Sequence, residues 1–458
     1  MTFLRFSPGG RVLLLCLLSG LLACFGRAEP NPPPLPEELH PELQRLLDCA
    51  LAQSPQMLER AAQMAVADGD AMVARSGLLP HASAYGQFNE QRESRQDLPG
   101  SQISQKTYYN VGVSQSVFHW GELRNRARIG TLRQKFESGQ TAEAYRLLVN
   151  EVRGQFLQLI VKHQTLARAR FGIDLAKENN RLAQGRLADK SISASEAAAA
   201  TLAITRAELA ADRAEEDYTF AKGALERLTG CGTIPDAALA DAVAKVDPAP
   251  DAIRALEAGF LSQSEPQSFV LRNLKRQAEV ERLNYDIARV QLRPMVNFVA
   301  GLSQDQVSYT ANIGQRYGVN TLFAGVQVTW SIFDGFATRG AVASASARRR
   351  LYELSYRTTS DQLKAQVQHA AKLLGFAGRE LKFAEDGLAA AESVVTTYKE
   401  QLGRGEVSSY DVKTVEGSLL DAQVAASLAR SDYLMKSAEF LSLVQQDPAL
   451  KRLPAVQP

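Results

Sequence analysis

Two stretches of the chain carry the same alternation. In residues 324–336 (AGVQVTWSIFDGF), Val326, Val328, Trp330 and Ile332 fall on one face of an extended segment, and Gln327, Thr329 and Ser331 on the other. In residues 110–121 (NVGVSQSVFHWG), Val111, Val113 and Val117 alternate with Gly112, Ser114 and Ser116, and Phe118 stands where Phe333 stands 215 residues later. The same offset joins Ile192 to Val407, Ser193 to Ser408 and Glu196 to Asp411, and Pro80 falls within one residue of a match to Pro294. Landmarks repeated at one spacing mark a duplicated unit, and a spacing this long marks a domain-sized duplication rather than a solenoid.

Both copies predict the same elements in the same order. Residues 40–77 read as helical, with Leu43, Leu46, Leu47, Ala50 and Leu51 at helical spacing, Pro55 opening a second piece and Pro80 closing it. Strands are expected near residues 80–91 and 108–118, with a polar loop over 92–105 that turns at Pro99-Gly100. Residues 123–185 hold no proline and carry a stripe of Leu148, Val152, Phe156 and Leu159. As a helix this run would reach on the order of 90 Å. A polar turn at 188–195 leads into an alanine-rich return helix over 196–228. In the second copy a helix over 265–292 precedes strands near 295–304 and 322–333, with a loop over 305–320 between them. A second proline-free helix over 338–402, a turn at 403–408 and a return over 410–444 complete it. The expected domains are therefore a first repeat over 42–230, a linker over 231–264 holding Pro235, Pro248 and Pro250, a second repeat over 265–444 and a loose tail over 445–458.

The first residues change the picture. Arg5 and Arg11 precede the apolar run 12–24, which is too short for a membrane span and reads as a signal peptide over residues 1–28. Gly26-Arg27-Ala28 suits ordinary cleavage and is the preferred site. Leu21-Leu22-Ala23-Cys24 resembles a lipoprotein site, in which Cys24 would be acylated. A Pro-rich lead-in over 29–41 follows. Of the four cysteines, Cys49 and Cys231 remain beyond the signal region, and export leaves two outcomes open for them, a disulfide or two buried thiols. No other segment is apolar over about 18 residues, so no transmembrane helix is expected, and an exported chain can still enter a membrane as β-strands.

Composition narrows function mainly by exclusion. The net charge of +2 comes from interleaved acids and bases, which gives no sign of nucleic-acid binding. The five histidines, His40, His81, His119, His163 and His369, are scattered, with no zinc-type pairing, phosphate-cradling loop or nucleophile elbow. No cofactor, metal or catalytic residue is expected.

Four strands cannot close a barrel, because the smallest transmembrane barrels need about eight. Two chains would give a barrel filled by its own side chains, and three would give twelve strands and a lumen. One apolar and one small or polar face per strand suits lipid outside and water inside. With these features in place, the chain resembles the TolC-like outer-membrane efflux proteins. The resemblance rests on the junctions Val117-Phe118-His119-Trp120-Gly121 and Ile332-Phe333-Asp334-Gly335-Phe336, on the strand starts at Pro80 and Pro294, and on the turn Gly403-Arg404-Gly405-Glu406-Val407-Ser408 followed by Tyr410-Asp411. It departs locally: His119 replaces an acidic residue, and Lys190 takes the place of Gly405 in the first turn.

The resemblance implies a fold that is mainly α with membrane β. Each chain would hold two structural repeats, and a homotrimer would share a 12-stranded β-barrel, four strands per chain, continuous with a long periplasmic α-helical barrel. It implies an outer-membrane exit duct reaching into the periplasm, serving tripartite efflux or type I secretion, with a periplasmic adaptor and an inner-membrane transporter as partners. At the helical turns it implies an aperture, for which Asp411 and Glu196 are the candidates, and an adaptor-contact rim of Ser191, Ile192, Ser193, Glu406, Val407 and Ser408. Asp411 suits a helix N-terminal charge as well as a gate, and Ser193 and Ser408 suit helix caps. Phe118, Gly121, Phe333 and Gly335 mark the strand-to-helix junctions, and Trp120 and Trp330 suit an aromatic belt, a core or, for Trp330, the lipid-facing wall. A reading from another class is a periplasmic helical scaffold that never forms a pore.

Overall fold

The computed structural model describes residues 33–94, 100–309 and 316–452. The signal region with Cys24, Pro99 of the expected turn and residues 453–458 lie outside the described residues. Proline sets the first helices. α1 (Pro36–Leu39), α2 (Pro41–Gln53) and α3 (Pro55–Ser76) each begin on one, where the missing N–H is not needed. β1 (His81–Ser94) and β2 (Ser101–Phe118) form a hairpin that feeds α4 (Glu122–Ala188), a helix of 67 residues and about 100 Å. α5 (Ala194–Thr229) returns along it, and the linker holds a short 3-10 turn and α6 (Pro250–Leu261). α7 (Phe269–Val290), β3 (Met295–Tyr309), β4 (Arg316–Thr329), α8 (Ala337–Arg404) and α9 (Ser409–Leu443) repeat the plan. No helix among the described residues is long and apolar enough to cross a membrane.

The strands form one antiparallel sheet in the order β1-β2-β3-β4. They are longer than the alternation predicts: the segments expected as loops over 92–105 and 305–320 are largely strand. The second hairpin also ends earlier than expected, at Thr329, so Trp330 lies beyond the strand and not within it.

Below the sheet the helices fall into two tiers. Next to the strands, α3 packs on the first part of α4, and α7 fills the space between α4 and α8. Gly130 permits the first contact, since a Cβ there would lie 2.7 Å from that of Ala74. Farther away, α5 pairs with α4, α9 pairs with α8, and α4 meets α9. The Arg168–Asp421 ion pair at 2.8 Å joins α4 to α9. Two flanks result. One carries β1, α3 and α5, and the other β4 and α8.

The core lies at the waist, where the tiers meet. The expected stripe Leu148, Val152, Phe156 and Leu159 is fully buried there, against Leu43, Leu46 and Leu47 of α2, Leu374 of α8 and Tyr433 of α9. At its centre is Arg153, 0% exposed. Its guanidinium donates to both carboxylate oxygens of Glu37 on α1 and of Asp447 past α9, including an Nε–Oε2 contact of 2.9 Å and an Nη2–Oδ1 contact of 2.9 Å. Burial would favour loss of its proton, but the hydrogen bonds it donates to both carboxylates outweigh that and hold Arg153 firmly charged. The triad fastens the lead-in and the tail to the middle of α4. The expected loose tail is therefore corrected over its described part: Asp447 and Ala449 are buried, and Pro448–Arg452 is a 3-10 turn. A disulfide joins Cys49 at the end of α2 to Cys231 beyond α5, with Cα atoms 5.9 Å apart, so the two are not free thiols.

Candidate functional site

The register assigns each strand residue to a face. One face runs in rows from β1 to β4: Ala84, Val111, Leu302 and Leu322, then Ala82, Val113, Ala300 and Ala324. The opposite face runs through Tyr85, Asn110, Ser303 and Thr321, and through Ser83, Gly112, Gly301 and Phe323. Gly301 is needed there, because a Cβ would sit 2.6 Å from the Val111 carbonyl oxygen and 2.9 Å from the Phe323 ring. The first face is apolar yet exposed in the single chain, Leu322 to 87%. Beyond these rows, toward the β1–β2 and β3–β4 turns, both faces turn polar, with Glu90 beside Gln105 and Gln304 beside Asn320. That arrangement is a membrane wall with lipid on one side, water on the other and wet ends.

Both strand-to-helix junctions solve one problem with different residues. Two consecutive residues are left-handed in each, Trp120 and Gly121 in the first and Gly335 and Phe336 in the second. Each pair holds one glycine, but in swapped positions, so one bulky residue per junction sits in the less favoured region. Asp334 accepts from the Thr338 N–H at 2.8 Å and its hydroxyl at 2.6 Å, and these bonds hold its pKa below the usual aspartate value. His119, in the equivalent place, accepts from the Leu123 N–H through Nδ1 at 3.2 Å. The imidazole thus replaces the carboxylate as acceptor. The Trp120 indole donates to the Pro294 carbonyl and the Trp330 indole to that of Leu292, each at 2.9 Å, so both rings brace the α7–β3 turn. Phe118 stacks edge-on with Trp120, and Phe333 with Phe336.

The far ends of the helices form two matching tips. α4 closes over Lys190 with φ 56°, and α8 over Gly405 with φ 77°. In each the next N–H, Ser191 or Glu406, reaches back to a carbonyl five residues earlier, Arg186 at 2.8 Å or Gln401 at 3.0 Å. Reciprocal caps then start α5 and α9. Ser193 Oγ accepts from the Glu196 N–H while Glu196 accepts from the Ser193 N–H, and Ser408 and Asp411 do the same. The Ser193 backbone and hydroxyl bonds lower the pKa of Glu196, and the Ser408 hydroxyl and backbone bonds lower that of Asp411. Both carboxylates are exposed, as are Ser191, Ser193, Glu406 and Ser408, with Ile192 and Val407 half-buried between them. The tips thus bring all eight expected rim and aperture residues into two small clusters, one per repeat.

The sequence of this chain answers to a family profile described as outer membrane efflux protein, over residues 46–231 and again over 260–444. The chain belongs to the outer membrane efflux protein family. Comparison with curated proteins returns no match. The fold is similar to that of solved outer-membrane channels at low sequence identity. CmeC of Campylobacter jejuni is 14% identical, with 88% of this chain and 86% of that one covered and a TM-score of 0.68. VceC of Vibrio cholerae is 16% identical, with 90% and 98% covered and a TM-score of 0.65. The outer-membrane channel OprN is 14% identical, with 93% and 95% covered and a TM-score of 0.66. As an outer membrane efflux protein, the chain resides in the outer membrane through its sheet and reaches into the periplasm through its helices. Its family is one of channels, and among the described residues no group of His, Cys, Asp and Glu is arranged to hold a metal.

Proposed function

We propose that three copies of this chain close into a passive exit duct that an inner-membrane transporter feeds through a periplasmic adaptor. The observation that carries this reading is the pair of unpartnered flanks that one chain leaves, each running from an outer strand down to its helices. β4 above α8 forms one side, and β1 above α3 and α5 forms the other. Docking one flank on the other is a head-to-tail contact, and such contacts close into a ring or run on as a filament. Closure at three gives twelve strands, enough for a water-filled lumen. Both outer strand edges would then be paired, and the apolar face would meet lipid. Apolar side chains exposed on the flank helices, Val66 and Val73 of α3 and Phe376 and Phe383 of α8, are available to such an interface.

In this assembly the tips form the periplasmic mouth. Asp411 and Glu196 are the aperture candidates, and Ser191–Ser193 with Glu406–Ser408 form the rim for adaptor hairpins. The cap fixes Asp411 through Oδ2, which leaves Oδ1 for the axis, so cap and gate use different atoms. The mature protein should migrate as a heat-sensitive trimer in detergent and conduct ions in planar bilayers. A water-soluble monomer without conductance would overturn the duct and favour a helical scaffold. Asp411→Asn is expected to change conductance or its block by divalent cations, since three facing carboxylates attract cations; unchanged conductance and block remove Asp411 from the aperture.

A further inference from the structure

The linker and α8 enclose a hollow of about 460 Å³ at the waist. Its floor is apolar, from Leu374 and Leu381 of α8, Ile253 of α6 and the linker residues Val246, Pro248 and Pro250. Two glycines of α8 face it. A Cβ on Gly378 would lie 3.5 Å from Pro248, so that glycine lets the linker approach, whereas a Cβ on Gly375 would meet nothing within 4 Å. Glycine is the costliest residue short of proline inside a helix, and at 375 no neighbour requires it. The rim is cationic. Lys245 and Lys382 have no ion-pair partner among the described residues, and Arg379 lies over the Phe376 ring, 4.7 Å from its centroid. Of the two rim carboxylates, Glu385 is taken by Arg430 at 2.6 Å, which leaves Asp247 against three cations.

We propose that this hollow is a binding site for a small amphiphilic carboxylate, with the alkyl body on the Gly375 floor and the head group among Lys245, Arg379 and Lys382. The volume falls within the usual range for small-molecule sites, and an apolar floor with a few convergent charges is their usual make-up. Because α8 is also a flank of the proposed ring, the site requires that a docked neighbour leave the hollow open. Arg430, which holds Glu385, also donates to the Val243 carbonyl at 3.0 Å, and Tyr433 accepts from the Ala249 N–H at 3.1 Å. An occupant would therefore sit where the linker is fastened to the α8–α9 pair.

The test is photolabelling of the full mature protein in peptidiscs with an undecanoate bearing a terminal diazirine, mapped by mass spectrometry. Labelling should saturate and concentrate in residues 245–253 and 374–385. Gly375→Leu should lower it by about tenfold, because the new side chain fills the floor. The double variant Lys245→Glu with Lys382→Glu, which leaves the floor intact, and the methyl ester of the probe should each lower it comparably. Label spread evenly over the wall, a Gly375→Leu protein labelled like its parent, or an ester as effective as the acid would overturn the proposal. So would exclusion of the acid from the assembled protein because a neighbouring copy fills the hollow.

Discussion

Lys190 sits where the second repeat has Gly405, and both adopt the left-handed conformation. A side chain there costs about 1 kcal/mol or more relative to glycine. Lys190→Gly should therefore stabilise the first tip by up to about 1 kcal/mol, after allowing for the freer unfolded chain, and Gly405→Lys should loosen the second. Hydrogen exchange at the Ser191 and Glu406 amides measures both. The tips also respond to acid. Hydrogen bonding holds the Glu196 and Asp411 carboxyls below their ordinary values of 4.5 and 3.8. A carboxyl lowered in the folded state stabilises it above the unfolded value and loses that contribution as pH falls through the folded one. Amide protection at both tips should thus be constant near neutrality and drop below those values, with Ser193→Ala and Ser408→Ala reducing the dependence at their own tip and Glu196→Gln and Asp411→Asn removing it.

At the scale of elements, the most sensitive point is the middle of α4. Removing one partner from a buried charge cluster leaves the others without compensation, at a cost of about 3–5 kcal/mol. Arg153→Leu should lower stability by that order in denaturant titrations, and replacing Glu37 and Asp447 with Gln and Asn in the same chain should recover much of it. This cluster was not legible in the sequence. An arginine within a long helix reads as a solvated charge, and its partners come from a Pro-rich lead-in and an apparently loose tail. The long helices were legible because neither contains proline and both end in matched turns. The strands were legible only where lipid imposes alternation. Over residues 101–107 and 305–309 both faces are largely polar, so the signal that separates strand from loop is missing. The junction residues were found through their aromatics, but the exchange of glycine between Trp120-Gly121 and Gly335-Phe336 shows only in backbone angles.

Across the whole molecule, duplication made the architecture readable: a single offset placed the tips, junctions and hairpins of both halves. It did not make the halves equivalent. The Cys49–Cys231 bridge spans 182 residues and encloses both strands of the first hairpin with α3, α4 and α5, whereas the second half has no covalent counterpart among the described residues. Under tension applied at the two ends, the first half is a closed link that force cannot reel out, and the second is an open strand of chain. Stretching a single molecule in an optical trap should therefore release length only from outside the bridge, chiefly from the second half, and adding a reductant should free about 600 Å more as the enclosed residues extend. Full extension without reductant would show that the link is open. Any machine that hauls on this protein from its C-terminus should be able to clear the second half and then stall.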